Sequence, residues 1–180
     1  TLLPRLLLNY NPSRRWLLSL SAGRYTQEPA DTIIVRSLSP SRSALAHHYI
    51  AGLQYSFGNT LVRMEAYYKH YSRLPLLSQG HYTADGRGMS RGFDLFIDDR
   101  SLMPNLTTML SYSYNDSRRR YLNDLTEQQP PYVSRHNLRL ALKYGISIFN
   151  FALTESFASG RKSEGRTTPC YNSLDASVTY

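Results

Sequence analysis

Apolar and polar residues alternate with period two along most of this chain, in segments of about ten residues, the length a tilted strand needs to cross a bilayer. In 15–25, Trp16, Leu18, Leu20 and Ala22 fall on one face and Ser19, Ser21 and Gly23 on the other. In 60–71, Val62, Met64, Ala66 and Tyr68 oppose Arg63, Glu65, Tyr67 and Lys69. Further on, Phe93, Leu95 and Ile97 oppose Gly92, Asp94 and Asp98, and Leu138, Leu140 and Leu142 oppose Asn137, Arg139 and Lys143. Phe149, Phe151 and Leu153 alternate with Asn150, Ala152 and Thr154, and Leu174, Ala176, Val178 and Tyr180 with Ser173, Asp175, Ser177 and Thr179. Helical spacing is hard to find. The pattern predicts an all-β chain, an antiparallel up-and-down meander of about nine strands at 2–10, 15–25, 48–57, 60–71, 89–99, 106–114, 135–144, 148–158 and 171–180.

The connections alternate in length. Those at 11–14, 58–59, 100–105 and 145–147 are short, while those at 26–47, 72–88, 115–134 and 159–170 are long. Outer-membrane barrels have tight turns on the periplasmic side and long loops outside. A soluble β-sandwich binding module also alternates polar and apolar positions, so the aromatic residues matter. Tyr10, Trp16, Tyr55, Phe57, Tyr144 and Phe149 lie beside the short turns, and Tyr25, Tyr68, Tyr71, Tyr112, Tyr114 and Phe157 lie toward the long loops. Two belts at the two lipid interfaces are expected from this placement. Leu18, Leu20, Val62, Met64, Phe93, Leu95, Leu138, Leu140, Phe151 and Leu153 are then expected to face lipid, and Arg63, Glu65, Asp94, Arg139 and Lys143 the lumen. Glu155 breaks the pattern on the apolar face and belongs near the outer rim, where a carboxylate costs less than at mid-bilayer. The inward set Ser19, Ser21, Gly23, Gly52, Ser111, Ser113, Ala152 and Thr154 is too small to fill a narrow closed barrel and suits a wide one.

Composition sharpens the picture at a few points. Among 180 residues there are 15 Tyr against 6 Phe and 1 Trp, which favours rings at a boundary between apolar and wet surroundings. No run of 18 apolar residues marks a membrane helix, and a barrel needs none. The first residues, TLLPRLLLNY, do not read as a signal peptide. The net charge of +8 is spread among strands and loops with no basic helical stripe, which argues against nucleic acid as a partner. The single Cys170 allows no internal disulfide and no paired-cysteine metal site. There is no nucleophile elbow, no HExxH and no defended carboxylate pair, so neither an enzyme, a cofactor nor a structural metal is expected. His136 with Asp124 or Ser134 is the one dyad that the rim offers, and a lone loop-edge histidine is otherwise a surface residue.

Candidate ligand contacts gather at the outer ends of the third and fourth strands and in the loop beyond. His48, His70 and His81, with His47 beside them, would bind a metal chelate through imidazole, and Tyr67, Tyr71 and Tyr82 would stack on it, with Lys69 among them. Arg118, Arg119 and Arg120 form the densest basic run, placed in a long outside loop within reach of outer-leaflet phosphates or an anionic ligand. With short turns periplasmic, Thr1 lies at the extracellular rim, and nine strands with termini on opposite sides do not close in the even-numbered way. Residues 1–180 are therefore expected to be one partial barrel domain, with earlier strands preceding Thr1. Tyr180 resembles the aromatic end of an outer-membrane terminal strand, although an accidental end after a common residue reads the same.

The segments PRLLLNYNPSRRWLLSLSAGRYTQEP (4–29), HYIAGLQYSFGNTLVRMEAYYKHYSRL (48–74), GRGMSRGFDLFIDDR (86–100), LSYSYNDSRRRY (110–121), RHNLRLALKY (135–144) and FASGR (157–161) resemble, in order and spacing, the C-terminal part of the barrel of TonB-dependent receptors of the Bacteroides type. The likeness covers nearly all of the chain. Within SLSPSRSALAHHY, Pro40, Arg42 and His48 fit, and Ser41 stands where an acid is common. The resemblance implies a bacterial outer-membrane receptor, whose barrel is filled by an N-terminal plug domain of the same protein. Such a receptor takes up a scarce nutrient (an iron siderophore, cobalamin or a glycan) with energy from the TonB complex. It implies outer-membrane lipid and lipopolysaccharide as surroundings, no plug or coupling box within these residues, and barrel strands after Tyr180. A small outer-membrane barrel serving as structural anchor or adhesin is the alternative.

Overall fold

The computed structural model describes residues 2–37, 42–163 and 166–180; Thr1, Pro40 and Ser41 lie outside the described residues. Nine strands form one antiparallel sheet in sequence order: β1 (Arg5–Ser13), β2 (Trp16–Gln27), β3 (Ala44–Phe57), β4 (Thr60–Ser78), β5 (His81–Asp99), β6 (Leu106–Arg120), β7 (His136–Ile146), β8 (Phe149–Ala158) and β11 (Tyr171–Thr179). A short helix, α1 (Asp31–Val35), lies between β2 and β3, and a two-residue ladder of β9 (Lys162–Ser163) and β10 (Arg166–Thr167) between β8 and β11. The sheet is open, with β1 and β11 at its edges.

Period two becomes two chemically different faces because directly paired residues share a face. One register row runs Leu18, Leu53, Met64, Leu95, Tyr112, Leu138, Phe157, and the next runs Leu20, Ala51, Ala66, Phe93, Tyr114, His136. Val62, Leu140, Phe151 and Leu153 belong to the same face. The opposite face carries Arg63, Glu65, Asp94, Arg139 and Lys143, with Gly52, Ser111 and Ser113 among them. No dry core forms between sheets among the described residues. Among the described residues, the buried hydrophobics are Leu45, Leu76 and Val133, none of them in the apolar band, where Leu20 is 57% and Leu174 65% exposed. Withdrawing one such side chain from water is worth roughly 1.5–3 kcal/mol, so this face is built for an apolar medium.

At the end with the tight turns, Ser13 pairs Trp16, Phe57 pairs Thr60 and Ile146 pairs Phe149. Pro12, which has no N–H to donate, sits in the bulge between Tyr10 and Ser13. The β5–β6 turn is held by Asp99, which accepts hydrogen bonds from the Thr60 hydroxyl and from the backbone N–H groups of Ser101 (2.8 Å) and Leu102 (3.0 Å). Asp99→Asn replaces one acceptor oxygen of this cluster with a donor and is expected to destabilise the sheet by about 0.5–1.5 kcal/mol; urea titration at neutral pH checks it, and an unchanged midpoint would show that the turn does not depend on the carboxylate.

The other end departs from the sequence reading. The stretch 72–88, expected as a long loop, continues β4 and β5 as a projecting hairpin, paired from Ser72 with Arg87 to Ser78 with His81. Its two-residue turn has Gln79 at φ 50° and Gly80 at φ 82°, the left-handed pair whose twist matches a hairpin. Register shifts around Arg73 and Pro75 bend it. Neighbouring connections pair with it: Leu77 N–H donates to Leu122 O and Leu122 N–H to Pro75 O, both at 2.8 Å, and Ser37 bridges Tyr82. Arg118, Arg119 and Arg120 also leave the loop assigned to them, because β6 runs on to Arg120 and pairs them with Met89, Gly88 and Arg87. The expected outer belt is likewise divided. Tyr68, Tyr112, Tyr114 and Phe157 share the apolar face, while Tyr25 and Tyr71 lie on the polar one. Tyr10, Trp16, Tyr55, Phe57, Tyr144 and Phe149 all share the apolar face at the tight-turn end, with Trp16 stacked on Tyr55 at 4.3 Å.

Candidate functional site

Three adjacent register rows on the polar face, toward the projecting hairpin, gather the chemistry. The first is Ser21, Ile50, Tyr67, Gly92, Asn115; the second Gly23, His48, Lys69, Ser90, Ser117; the third Tyr25, Ala46, Tyr71, Gly88, Arg119. Large and small residues alternate. The Tyr67 ring lies over Gly92, and the Tyr25 ring folds back over Gly23, where an added Cβ would meet it at 2.8 Å. His48 stands 4.5 Å from the Tyr25 ring and 6.2 Å from Tyr71, and Lys69 Nζ lies 4.9 Å from the Tyr67 ring. Beneath them Ser117 Oγ lies 2.7 Å from both Ser90 Oγ and Asn115 Oδ1, within hydrogen-bond reach of each.

At the upper margin Arg119 sits against two rings, 4.6 Å from Tyr121 and 5.3 Å from Tyr132, and donates to the Tyr132 hydroxyl at 3.0 Å. The result is a wet wall of phenols, one imidazole and two cations, suited to hydrogen bonding and to stacking on an anionic or aromatic ligand. The sequence reading names Tyr25 for the outer belt and Arg119 for a loop within reach of an anionic ligand, and puts neither on this strand wall. Continuing the period-two count through β6 would have put Arg119 on this face.

The sequence candidates are only partly brought together. Tyr67, Lys69, Tyr71 and His48 share this wall. His70 does not: it pairs His47 on the opposite face, their ring centroids 6.5 Å apart. His81 lies beyond the Gln79–Gly80 turn and Tyr82 pairs Leu77, roughly 20 Å along the hairpin from Tyr71 at strand rise. The Tyr82 ring is approached instead by Arg36 at 5.8 Å. Among the described residues no three His, Cys, Asp or Glu side chains gather as a metal ion requires. His136 forms no dyad with Asp124 or Ser134: its Nδ1 bonds the Tyr112 hydroxyl at 2.8 Å, while Asp124 takes Gln128 and Ser134 takes Arg161. Glu155 lies on the apolar face between Leu140 and Leu174.

Residues 1–180 match a family model described as TonB dependent receptor-like, beta-barrel. No curated protein matches. Among solved structures, the fold is similar to the FrpB iron transporter from Neisseria meningitidis, with TM-score 0.82 and 13% identity over 99% of this chain and 32% of that one. It is similar to the siderophore receptor PiuA from Acinetobacter baumannii, with TM-score 0.84 and 13% identity over 98% of this chain and 29% of that one. The ferric-catecholate import receptor Fiu from K12 E. coli gives TM-score 0.80 and 13% identity over 97% and 28%. At such identity the likeness is one of fold. This chain spans about a third or less of the length of those chains.

Proposed function

The chain belongs to the TonB-dependent receptor-like β-barrel family, and we propose that it forms part of the barrel wall of an outer-membrane receptor that takes up a scarce nutrient, such as an iron siderophore, cobalamin or a glycan. The family is one of receptors and transporters rather than enzymes, and its barrels lie in the bacterial outer membrane. The observation that carries the reading is the contrast between faces: one exposes Leu20, Met64, Phe93 and Phe151, and the other carries Arg63, Glu65, Asp94, Arg139 and Lys143. Hydrocarbon accounts for the first, and an aqueous lumen for the second.

Both edges of the open sheet need partners, since each unpaired backbone group in lipid costs several kcal/mol. Further strands of the same barrel supply them, and a plug domain of the same polypeptide faces the charged wall and couples it to the TonB complex. Tyr67, Lys69, Tyr71 and His48 then stand where a ligand above the plug is met, joined by Tyr25 and Arg119. Deleting the gene is expected to abolish growth on one of four sole sources, namely ferric citrate, a ferric catecholate, cobalamin or an oligosaccharide. Tyr67→Ala combined with Tyr71→Ala is expected to raise the concentration needed about tenfold or more, as loss of two stacking and hydrogen-bonding contacts implies. Unchanged growth on all four would remove the uptake reading and leave the anchor or adhesin.

A further inference from the structure

The face assigned to lipid changes character abruptly at its outer end. Its apolar band closes with Tyr49 and Tyr68, which share a row with Arg91 and Asp116. The row above runs Arg24, His47, His70, Met89, Arg118, and the row above that ends in Arg87 and Arg120. The arginines are organised by very few acids. Asp116, only 6% exposed, accepts from Arg91 Nε at 3.2 Å and Nη2 at 3.1 Å, while Arg118 Nε and Arg135 Nη2 stand 3.7 and 3.8 Å from its other oxygen. One carboxylate thus hydrogen-bonds a single guanidinium and has two more within ion-pair distance, and Arg91 and Arg118 remain 60% and 53% exposed. Arg87 is paired with Glu127. Among the described residues, Nε of Arg24, Arg120 and Arg135 meets no acceptor. The cluster has many more donors than its carboxylates accept.

This excess of cations faces away from the Tyr67–Arg119 wall, so a ligand in the lumen does not answer it. What adjoins it is the apolar band, one same-face step of about 7 Å below. An occupant must therefore be anionic at one end and hydrocarbon at the other, in the outer leaflet. We propose that Arg91, Arg118 and Arg120, with Arg24 and Arg135 at their sides, bind the phosphates of a phosphorylated outer-leaflet glycolipid, the lipid A part of lipopolysaccharide, whose acyl chains lie down the band. Planar guanidinium forks suit phosphate oxygens. Tyr49 and Tyr68 mark the level at which headgroup gives way to chain. The proposal rests on the barrel-wall reading, and its test separates the two.

The full receptor polypeptide containing these strands, purified in neutral detergent, is titrated by native mass spectrometry with bisphosphorylated lipid A and with the same lipid stripped of its phosphates. The bisphosphorylated form is expected to bind about tenfold or more tightly than the stripped one. Combining Arg91→Gln, Arg118→Gln and Arg120→Gln should erase that difference. Arg118→Gln with Arg120→Gln, which leaves the Arg91–Asp116 pair intact, should reduce it without threatening the fold. Arg63→Gln, on the opposite face, should leave it unchanged. Equal binding of the two lipids, or an equal loss in Arg63→Gln, would overturn the lipid site alone. A polypeptide that stays monodisperse without detergent would overturn the barrel-wall reading beneath it.

Discussion

Leu95→Arg is expected to destabilise the folded barrel in lipid by about 2–4 kcal/mol, the cost of a charged side chain near the middle of the hydrocarbon. Leu95 lies in the row Leu18, Leu53, Met64, Leu95, Tyr112, with one further apolar row below it and another above. A guanidinium there has no water on its own side of the sheet. Ser113→Arg, on the opposite face beside Asp94, is expected to stay within about 0.5 kcal/mol of the parent. Urea titration of the two variants refolded into phospholipid vesicles measures the difference. A soluble sheet whose band faced water would reverse the order, since an exposed Leu→Arg change is mild and a new charge among packed residues is not.

Gly92→Leu is the second large effect, at about 1–3 kcal/mol or failure to assemble, as overpacking implies. A Cβ at Gly92 would run into the Tyr114 carbonyl oxygen and, at 2.6 Å, the Tyr67 hydroxyl. The carbonyl belongs to the ladder between β5 and β6 and cannot withdraw without breaking the sheet; the Tyr67 ring can swing, but then leaves the wall it helps to form. Gly92→Leu with Tyr67→Ala is therefore expected to recover only part of the lost stability, measured as heat-resistant migration on a denaturing gel. Full recovery would show that the ring alone, not the backbone, demands glycine.

The nine strands were legible because each crosses between two media, which writes period two into the sequence. The projecting hairpin was not. Above the membrane both faces of β4 and β5 are wet or locally packed, so Ser72–Ser78 and His81–Arg87 carry no apolar alternation, and the Gln79–Gly80 turn is a weaker signal than Asn-Gly. The arginine run looked like a loop for the same reason, although counting on by twos from Tyr112 and Tyr114 places Arg118 and Arg120 on their face and Arg119 on the other. His47 and His48 show what the period forbids: neighbours on a strand point to opposite sides, so both could not meet one ligand. The packing of Arg119 between Tyr121 and Tyr132 depends on how the connection after β6 folds back through Gln128, a long-range pairing with no local signature.

The most direct test places single cysteines along β6, at residues 109 to 114 in turn, carries a nitroxide label on each, and compares collision with lipid-soluble oxygen and with a water-soluble nickel complex in the full polypeptide in bilayers. Leu110, Tyr112 and Tyr114 are expected to favour oxygen, and Met109, Ser111 and Ser113 the nickel complex, in strict alternation. Labels at Leu110, Tyr112 and Tyr114 that are shielded from both reagents, or that favour the nickel complex, would contradict a wall with hydrocarbon on one side and water on the other.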